Sequence, residues 1–392
     1  MRISGVGCLV VDYIYHDVDF SRPEASQYLS NDGINGVLVG EGNLLQQLEE
    51  HFQRPKEVII RDMTGGRTPE KALGGVSVVT LISAAQLLSD CEDIEVFYHA
   101  NIPNNELGRF ALETIQATPL CTEFLRIVPG ESVVTYALCG VDLSGKPSRT
   151  FLCYPTVHPS TALHVDQLDD GFYDSELTVF SCIQWEPEIS RCLSSVLKKS
   201  KETGSITIVT TASDPMMRGR KKWVLGDGDQ AYQYIDILIM NHDEALNYSG
   251  TDDLDGAAGY FKSFPAIEGV LITNGRLPTY VYARGGLSLP WEGFVPTAGA
   301  IDRDKEQGIL PVGDTVGCGD NFCGGVVASI ARQLRERSGK IDLVEACIIG
   351  NLSGGITSTT IGGVFKERYS GEKRAVMNRY LADYRRQVAE PL

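Results

Sequence analysis

Apolar residues along the chain fall into short runs separated by longer stretches in which they recur every three or four positions. Runs at 3–11, 58–60, 95–99, 177–181, 206–210, 235–240 and 269–273 predict strands. Stretches 76–88, 107–117, 189–201, 257–263, 321–337 and 343–353 have the spacing of helices. In the second half most strands are followed by a helix, the alternation that builds a parallel sheet through right-handed crossovers. The expected fold class is therefore α/β. Two segments break the rhythm. Residues 133–141 and 150–154 flank Asp142-Leu-Ser-Gly-Lys-Pro147, a turn-rich connector, and predict an antiparallel hairpin. The irregular segment 13–40 is expected to join that hairpin in a small β lid.

Charge narrows the function. The 392 residues carry 35 Lys and Arg against 51 Asp and Glu, a net −16. A surface made to bind nucleic acid or anionic membrane needs a net cationic face, so neither is expected as a partner. The ten cysteines contain no C-x-x-C pair, which argues against a zinc ribbon and for reduced core thiols. The apolar stretch 6–11 is too short for a signal-peptide core. Residues 346–365 lack charge but are rich in Gly, Ser and Thr, which reads as a buried helix and turn rather than a membrane span. A cytoplasmic location is expected. The 41 glycines exceed the average share of about 7%, and the excess is clustered.

The densest cluster is Gly313-Asp-Thr-Val-Gly-Cys-Gly-Asp-Asn-Phe-Cys-Gly-Gly325, which runs straight into a helical pattern. A glycine-rich turn at a helix start aims several N–H groups at one point, backed by the positive end of the helix dipole. Asp320 at its edge is out of place in a site that only binds phosphate. It fits if the carboxylate takes a proton from a hydroxyl while the amides of Gly317, Cys318 and Gly319 stabilise charge on a moving phosphoryl group. The competing explanation is a helix N-cap. No Walker-type G-x-x-x-x-G-K-[ST], complete dinucleotide fingerprint, H-E-x-x-H or G-x-S-x-G is present.

Asp314-Thr-Val-Gly-Cys-Gly-Asp320 resembles the D-T-x-G-A-G-D signature of the ribokinase-like, or PfkB, family of carbohydrate and nucleoside kinases, with Cys318 in place of the usual Ala. The resemblance spans nearly the whole chain in order. Gly7 through Asp12 looks like the family's opening strand, whose final Asp holds substrate hydroxyls. Gly74-Gly75 resembles the glycine pair beneath the sugar. Asn241-His-Asp-Glu244 matches N-x-x-E, associated with magnesium and phosphate placement through water. Thr273-Asn-Gly275 resembles the T-x-G beside the nucleotide phosphates, and Asn351 lies in the late helix that flanks adenine. The resemblance implies a three-layer α/β/α sandwich with a mostly parallel central sheet. It further implies one domain over 1–392, a β lid from about 13–40 and 132–156, and a homodimer contact through that lid. It implies ATP and Mg²⁺ as cofactors and leaves a monovalent cation open.

Bland explanations stand beside these assignments. Asn241 and Glu244 also make a capping box, Gly74-Gly75 an ordinary strand-to-helix turn, and Asp12 a solvated strand end. Two departures fall on the acceptor side. Val79 stands where the family has a sugar-binding Asn. Pro103-Asn-Asn-Glu-Leu-Gly108 places Asn105 where the family has Asp. The expected activity is ATP-dependent phosphorylation of a sugar or sugar-containing metabolite. A nucleoside kinase of the adenosine or inosine type is the alternative, suggested by the wide 16–73 insertion. A non-catalytic ligand-binding homologue is a more remote one.

Overall fold

Strands β1 (Arg2–Gly7), β2 (Val10–Asp19), β3 (Gly42–Leu44), β4 (Glu70–Gly74), β5 (Glu95–Pro103), β6 (Leu125–Val128) and β7 (Val134–Val141) make up the first half of the sheet structure. Strands β8 (Pro147–Cys153), β9 (Leu177–Ser181), β10 (Ile206–Thr210), β11 (Ile237–Asn241), β12 (Gly269–Asn274), β13 (Leu277–Ala283) and β14 (Trp291–Val295) complete it. The structure is a computed structural model and describes residues 1–389 apart from 143, 146, 155, 156, 158, 337 and 338. Four residues of the expected 132–156 lid segment, two of them in the 142–147 connector, and the expected helix end at Arg337 lie outside the described residues.

Nine strands form one sheet in the order β14-β13-β12-β11-β10-β9-β1-β5-β6. It is parallel from β12 to β6, and β13 and β14 add an antiparallel edge. Alternate side chains of each central strand enter different cores. Ile237 and Ile239 of β11 point to one face, Leu238 and Met240 to the other, and Leu271 separates from Val270 and Ile272 in β12 the same way. Helices Val76–Leu87, Glu106–Gln116, Cys318–Arg335, Leu343–Thr357 and Glu372–Ala389 cover the first face. Helices Leu193–Glu202, His242–Ser249 and Leu254–Lys262 cover the second. Burial on both faces explains why these strands read as continuous apolar runs. The result is an α/β/α sandwich.

The expected strand over 3–11 is two strands in two sheets. β1 ends at Gly7, and after Cys8 and Leu9 the chain enters β2 of a second, five-stranded sheet ordered β3-β8-β7-β2-β4. Asp12 therefore lies within β2 of the small sheet rather than at the end of the opening strand. The 7–8 hairpin follows the sequence pattern, with Ala137 opposite Phe151. The apolar triplet 58–60 is helical, not extended. It lies in helix Lys56–Thr64, which starts after Pro55 and buries Ile59, Ile60 and Met63 on one side at helical spacing. The expected helix 189–201 is broken into Pro187–Ser190 and Leu193–Glu202.

The small sheet also uses both faces. Tyr15, Val18, Leu138 and Leu152 pack against Leu45, Leu48, Ile59, Ile60 and Met63 of the chain's own 45–64 helices. Ile14 and Ala137, on the opposite face, meet Val316 of the glycine-rich turn. One face of the small sheet is thus covered from within the chain. Among the described residues no helix is long and apolar enough to cross a membrane. The uncharged 346–365 run is the buried helix Leu343–Thr357 and the turn after it.

Candidate functional site

A cavity of about 480 Å³ opens between the two sheets. Its floor is made where parallel strands end: Cys8 after β1, Cys182 after β9, Thr211 after β10, Asn241 of β11 and Thr273 of β12. Crevices beyond the carboxyl ends of parallel strands are where open α/β sheets bind ligands.

One wall is the start of helix Cys318–Arg335, three residues earlier than the periodicity predicts. Gly317 caps it with φ +74°, and a Cβ there would sit 2.3 Å from the Gly363 Cα. Only glycine fits. Asp314 fixes the turn from within, accepting the Val316 N–H at 2.8 Å and the Gly362 N–H at 3.1 Å. Asn321 fixes it from below, donating from Nδ2 to the carbonyls of Gly317 and Gly363 at 2.7 Å each. First-turn N–H groups have no carbonyl within their own helix, and Gly317 and Gly319 both line the cavity. Cys318 does not line the cavity; its N–H turns back to the Thr315 carbonyl at 3.4 Å. Of the three positions expected to form an anion hole, 317–319, the two glycines line the cavity. Burial pushes the Cys318 thiol up to about 11.

Asp320 is half-buried on this wall. Burial raises its carboxyl to about 6; the Arg149 guanidinium opposes the rise and Glu244 adds to it. Asp12 faces the same cavity from β2 and is 5% exposed. It accepts a short hydrogen bond from the Thr135 hydroxyl of β7. Burial raises Asp12 to about 6 as well, against the lowering by Thr135 and Arg149, with Asp320 and Asp314 adding to the rise. Gly74 of the neighbouring strand leaves room for this carboxylate: a Cβ there would lie 2.0 Å from Asp12 Oδ2. Gly75 lines the cavity where helix Val76–Leu87 begins.

Arg149 of β8 links the walls. Its guanidinium donates to the carbonyl and the hydroxyl of Thr315 and lies 5.2 Å from the centre of the Phe151 ring. A lone Arg in a lid strand has no sequence signature. Thr135, Arg218, Trp185 and Trp223 also line the cavity without having been expected. The rule that ligands sit at strand ends was available for Cys182 and Thr211, because the strands before them, 177–181 and 206–210, were read correctly; it was not for Cys8, which the sequence placed inside one long strand over 3–11.

Asn241 and Glu244 are both on the wall and form a complete capping box. The Asn241 Oδ1 accepts the Glu244 N–H at 2.8 Å, and Glu244 Oε2 accepts the Asn241 N–H at 3.1 Å. The Thr211 hydroxyl donates to the same Oε2 at 2.7 Å. Burial raises the Glu244 carboxyl. One carboxylate and one amide oxygen at a cavity wall suit Mg²⁺, which keeps most of its water. Among the described residues no group of three or more His, Cys, Asp or Glu forms a metal cage.

Three expected site residues, and Val79, which departs from the family pattern, are elsewhere or otherwise engaged. Asn105 caps helix Glu106–Gln116, accepting from the Gly108 N–H and the Ser132 hydroxyl at 2.9 Å each and donating to the Gly130 carbonyl at 3.1 Å. It does not line the cavity, and its side chain is taken up by the cap. Asn351 donates to the Tyr384 hydroxyl at 2.8 Å inside the helical layer, also away from the cavity. Gly275 is in the tight β12–β13 connection, two residues beyond Thr273 on the wall. Val79 is 1% exposed in the core beside Gly363, so it withdraws nothing from a bound acceptor.

The sequence pattern of the "pfkB family carbohydrate kinase" matches residues 59–367. No curated protein sequence matches the chain. Among solved structures, adenosine kinase from Sinorhizobium meliloti aligns with TM-score 0.65 at 18% identity, covering 96% of this chain and 99% of that one. Adenosine kinase from Schistosoma mansoni, in complex with 2-fluoroadenosine, aligns with TM-score 0.67 at 14% identity over 93% and 97%. Ribokinase from Arabidopsis thaliana, complexed with ribose and ATP, aligns with TM-score 0.61 at 13% identity over 97% and 98%. At such identities the likeness is one of fold, and the fold is ribokinase-like.

Proposed function

The chain belongs to the pfkB family of carbohydrate kinases, and on that premise we propose that it transfers the γ-phosphoryl group of ATP to a hydroxyl of a sugar or sugar-containing metabolite. The observation that carries this reading is the opposition of Asp320, at a helix N-terminus, to Asp12 across one cavity spanned by Arg149. Asp320 takes the proton of the acceptor hydroxyl. Its carboxyl near 6 is mostly ionised at neutral pH and still basic enough to accept that proton. The acceptor oxygen bonds to the γ-phosphorus, the bond from that phosphorus to the β–γ bridging oxygen breaks, and ADP leaves with the electron pair. The Gly317 and Gly319 amides stabilise the charge on the phosphoryl oxygens in transit. Asp12, with Thr135 behind it, holds an acceptor hydroxyl. Thr273 takes the nucleotide side. Magnesium, held through water by Asn241 and Glu244, would neutralise phosphate charge.

A nucleoside acceptor is the second reading. The aromatic rings of Trp185, Trp223 and Phe151 on the cavity wall favour it, since each offers a surface on which a base can stack. The covered outer face of the small sheet supports a chain that works without a partner there. Ten free thiols suit a reducing, cytoplasmic setting.

The test is ADP release across sugars, sugar phosphates and nucleosides. Turnover of a free sugar with none for nucleosides supports the first reading, and the reverse selects the second. Saturable binding without ADP release from any acceptor would leave a non-catalytic ligand-binding homologue.

A further inference from the structure

Lys373 is the only buried lysine among the described residues, with 0% exposure. It is the second residue of helix Glu372–Ala389, on the far side of the glycine turn from the cavity. Its ammonium donates to the Ser83 hydroxyl of helix Val76–Leu87 at 2.7 Å and makes a short bond to the Asn321 Oδ1 of helix Cys318–Arg335. Both partners are neutral. A buried ammonium without a carboxylate partner costs far more than an apolar side chain of the same length, so packing alone is a poor reason for lysine here.

The Asn321 amide supplies a better one. An amide group can be turned either way, and its neighbours decide which end faces which. An ammonium only donates, so it claims the Asn321 oxygen and forces Nδ2 toward the two carbonyls that it clamps, those of Gly317 and Gly363. Five parts meet at this point: the glycine turn, the 358–365 loop and the helices Val76–Leu87, Cys318–Arg335 and Glu372–Ala389.

We propose that Lys373 is a positioning residue for phosphoryl transfer: through Asn321 it holds the Gly317 turn so that its amides face the cavity. This rests on the kinase reading above. The charged form clamps more strongly, because hydrogen bonds from an ammonium are about twice as strong as neutral ones. Burial draws the amine down to about 7, with Glu367 and Cys318 opposing. These are the titratable groups that act on it. Glu367 accepts the Lys373 backbone N–H at 3.0 Å, and Glu372 is already paired with Arg368.

The experiment compares wild type, Lys373→Met and Asn321→Asp by ADP release against pH and by hydrogen exchange of the 313–325 segment. Lys373→Met is expected to lower kcat by about 10- to 100-fold, the scale of a small misplacement of catalytic groups. Wild type is expected to lose kcat/KM for ATP above pH ~7, and Lys373→Met should abolish that fall while keeping the acid limb set by Asp320. Exchange across 313–325 should quicken. Should Lys373→Met fail to fold, Asn321→Asp decides: it pairs with the ammonium and loses both clamping N–H groups, so kcat falls and the alkaline limb moves up. Unchanged kcat and pH profile in the variant that folds would overturn the proposal, with Asp320→Asn still inactive. If wild type releases no ADP with any acceptor, the kinase reading fails, and the exchange data alone judge the clamp: unchanged exchange overturns it.

Discussion

The two walls of the cavity are built in opposite ways. The wall proposed for phosphoryl transfer, the phosphoryl wall, comes from seven consecutive positions, Asp314 to Asp320, with Asn321 next to them holding the turn. The wall proposed for the acceptor draws Asp12, Gly74, Thr135 and Arg149 from four strands of the small sheet. A wall made by one turn carries its chemistry in its spacing. A wall made by pairing distant strands carries it in topology. Substitutions on the two walls should therefore fail differently: those on the first in the rate of the chemical step, those on the second in recognition of the acceptor.

The sharpest break is at Asp320. Asp320→Asn keeps the shape of the side chain but removes the basic oxygen, and kcat should fall by about 10²- to 10⁴-fold with ATP binding retained. Steady-state ADP release beside calorimetric ATP binding measures both. Near-normal kcat would reduce Asp320 to a first-turn acid that complements the helix dipole, and the contrast between the walls would collapse.

Asp12→Asn sharpens the contrast from the other side. Loss of a charged hydrogen bond to the acceptor should cost about 10- to 100-fold in kcat/KM for the acceptor, with little change in KM for ATP. Stability should move the other way. The Asp12 carboxyl stands at about 6 in the folded chain against 3.8 ordinarily. The folded state thus holds a proton that the unfolded state has released, and stability is lost as pH rises from about 4 through 6. Asn lifts that penalty, worth up to about 3 kcal/mol. Thermal melting should find the variant more stable than wild type at pH 8 and no more stable at pH 4. A destabilised variant at both pH values would show that the Thr135 bond, not burial, dominates Asp12.

These contrasts explain what the sequence could and could not reveal. The parallel strands after residue 170 were legible because burial on both faces leaves near-continuous apolar runs. The break between β1 and β2 was not, since Val6 and Val10–Val11 are equally apolar and only tertiary packing sends them to different sheets. The triplet 58–60 misled because three apolar residues fit either period, and the helix became evident only with Met63 included. In the site, Asp320 and the glycines followed from local pattern, whereas Arg149 needed the register of β7 with β8. Asn105 and Asn351 show the cost of carrying roles by position, for one is a cap and the other a core hydrogen bond.

A smaller effect tests the boundary between the walls. Glu244 serves the helix as a cap and faces the cavity. In Glu244→Gln one oxygen still accepts from the Asn241 N–H and the Thr211 hydroxyl, but the new amide meets the Asn241 Nδ2 donor, costing about 1 kcal/mol. If the carboxylate also orders magnesium-bound water, the Mg²⁺ concentration for half-maximal rate should rise about tenfold at unchanged kcat in excess Mg²⁺. An unmoved Mg²⁺ titration with a lowered melting temperature would leave Glu244 a cap alone.

The least effect is expected inside the most chemically charged segment, at Cys318. Its position at a helix start between two glycines invites a reactive thiolate, because a helix N-terminus lowers a thiol's pKa. Burial outweighs that influence and pushes the thiol up to about 11, so almost none is ionised at neutral pH. The side chain does not line the cavity, and its N–H is directed to Thr315. What the site needs from this position is a small residue that lets Gly317 and Gly319 present their amides. Cys318→Ala should therefore keep kcat and KM for ATP within about twofold, well under the 1.36 kcal/mol of a tenfold effect. Iodoacetamide should inactivate wild type and the variant at the same slow rate. A variant protected from an inactivation that wild type suffers, with ATP slowing the loss, would place the thiol on the phosphoryl wall after all and make that wall chemically richer than its two glycines and one carboxylate.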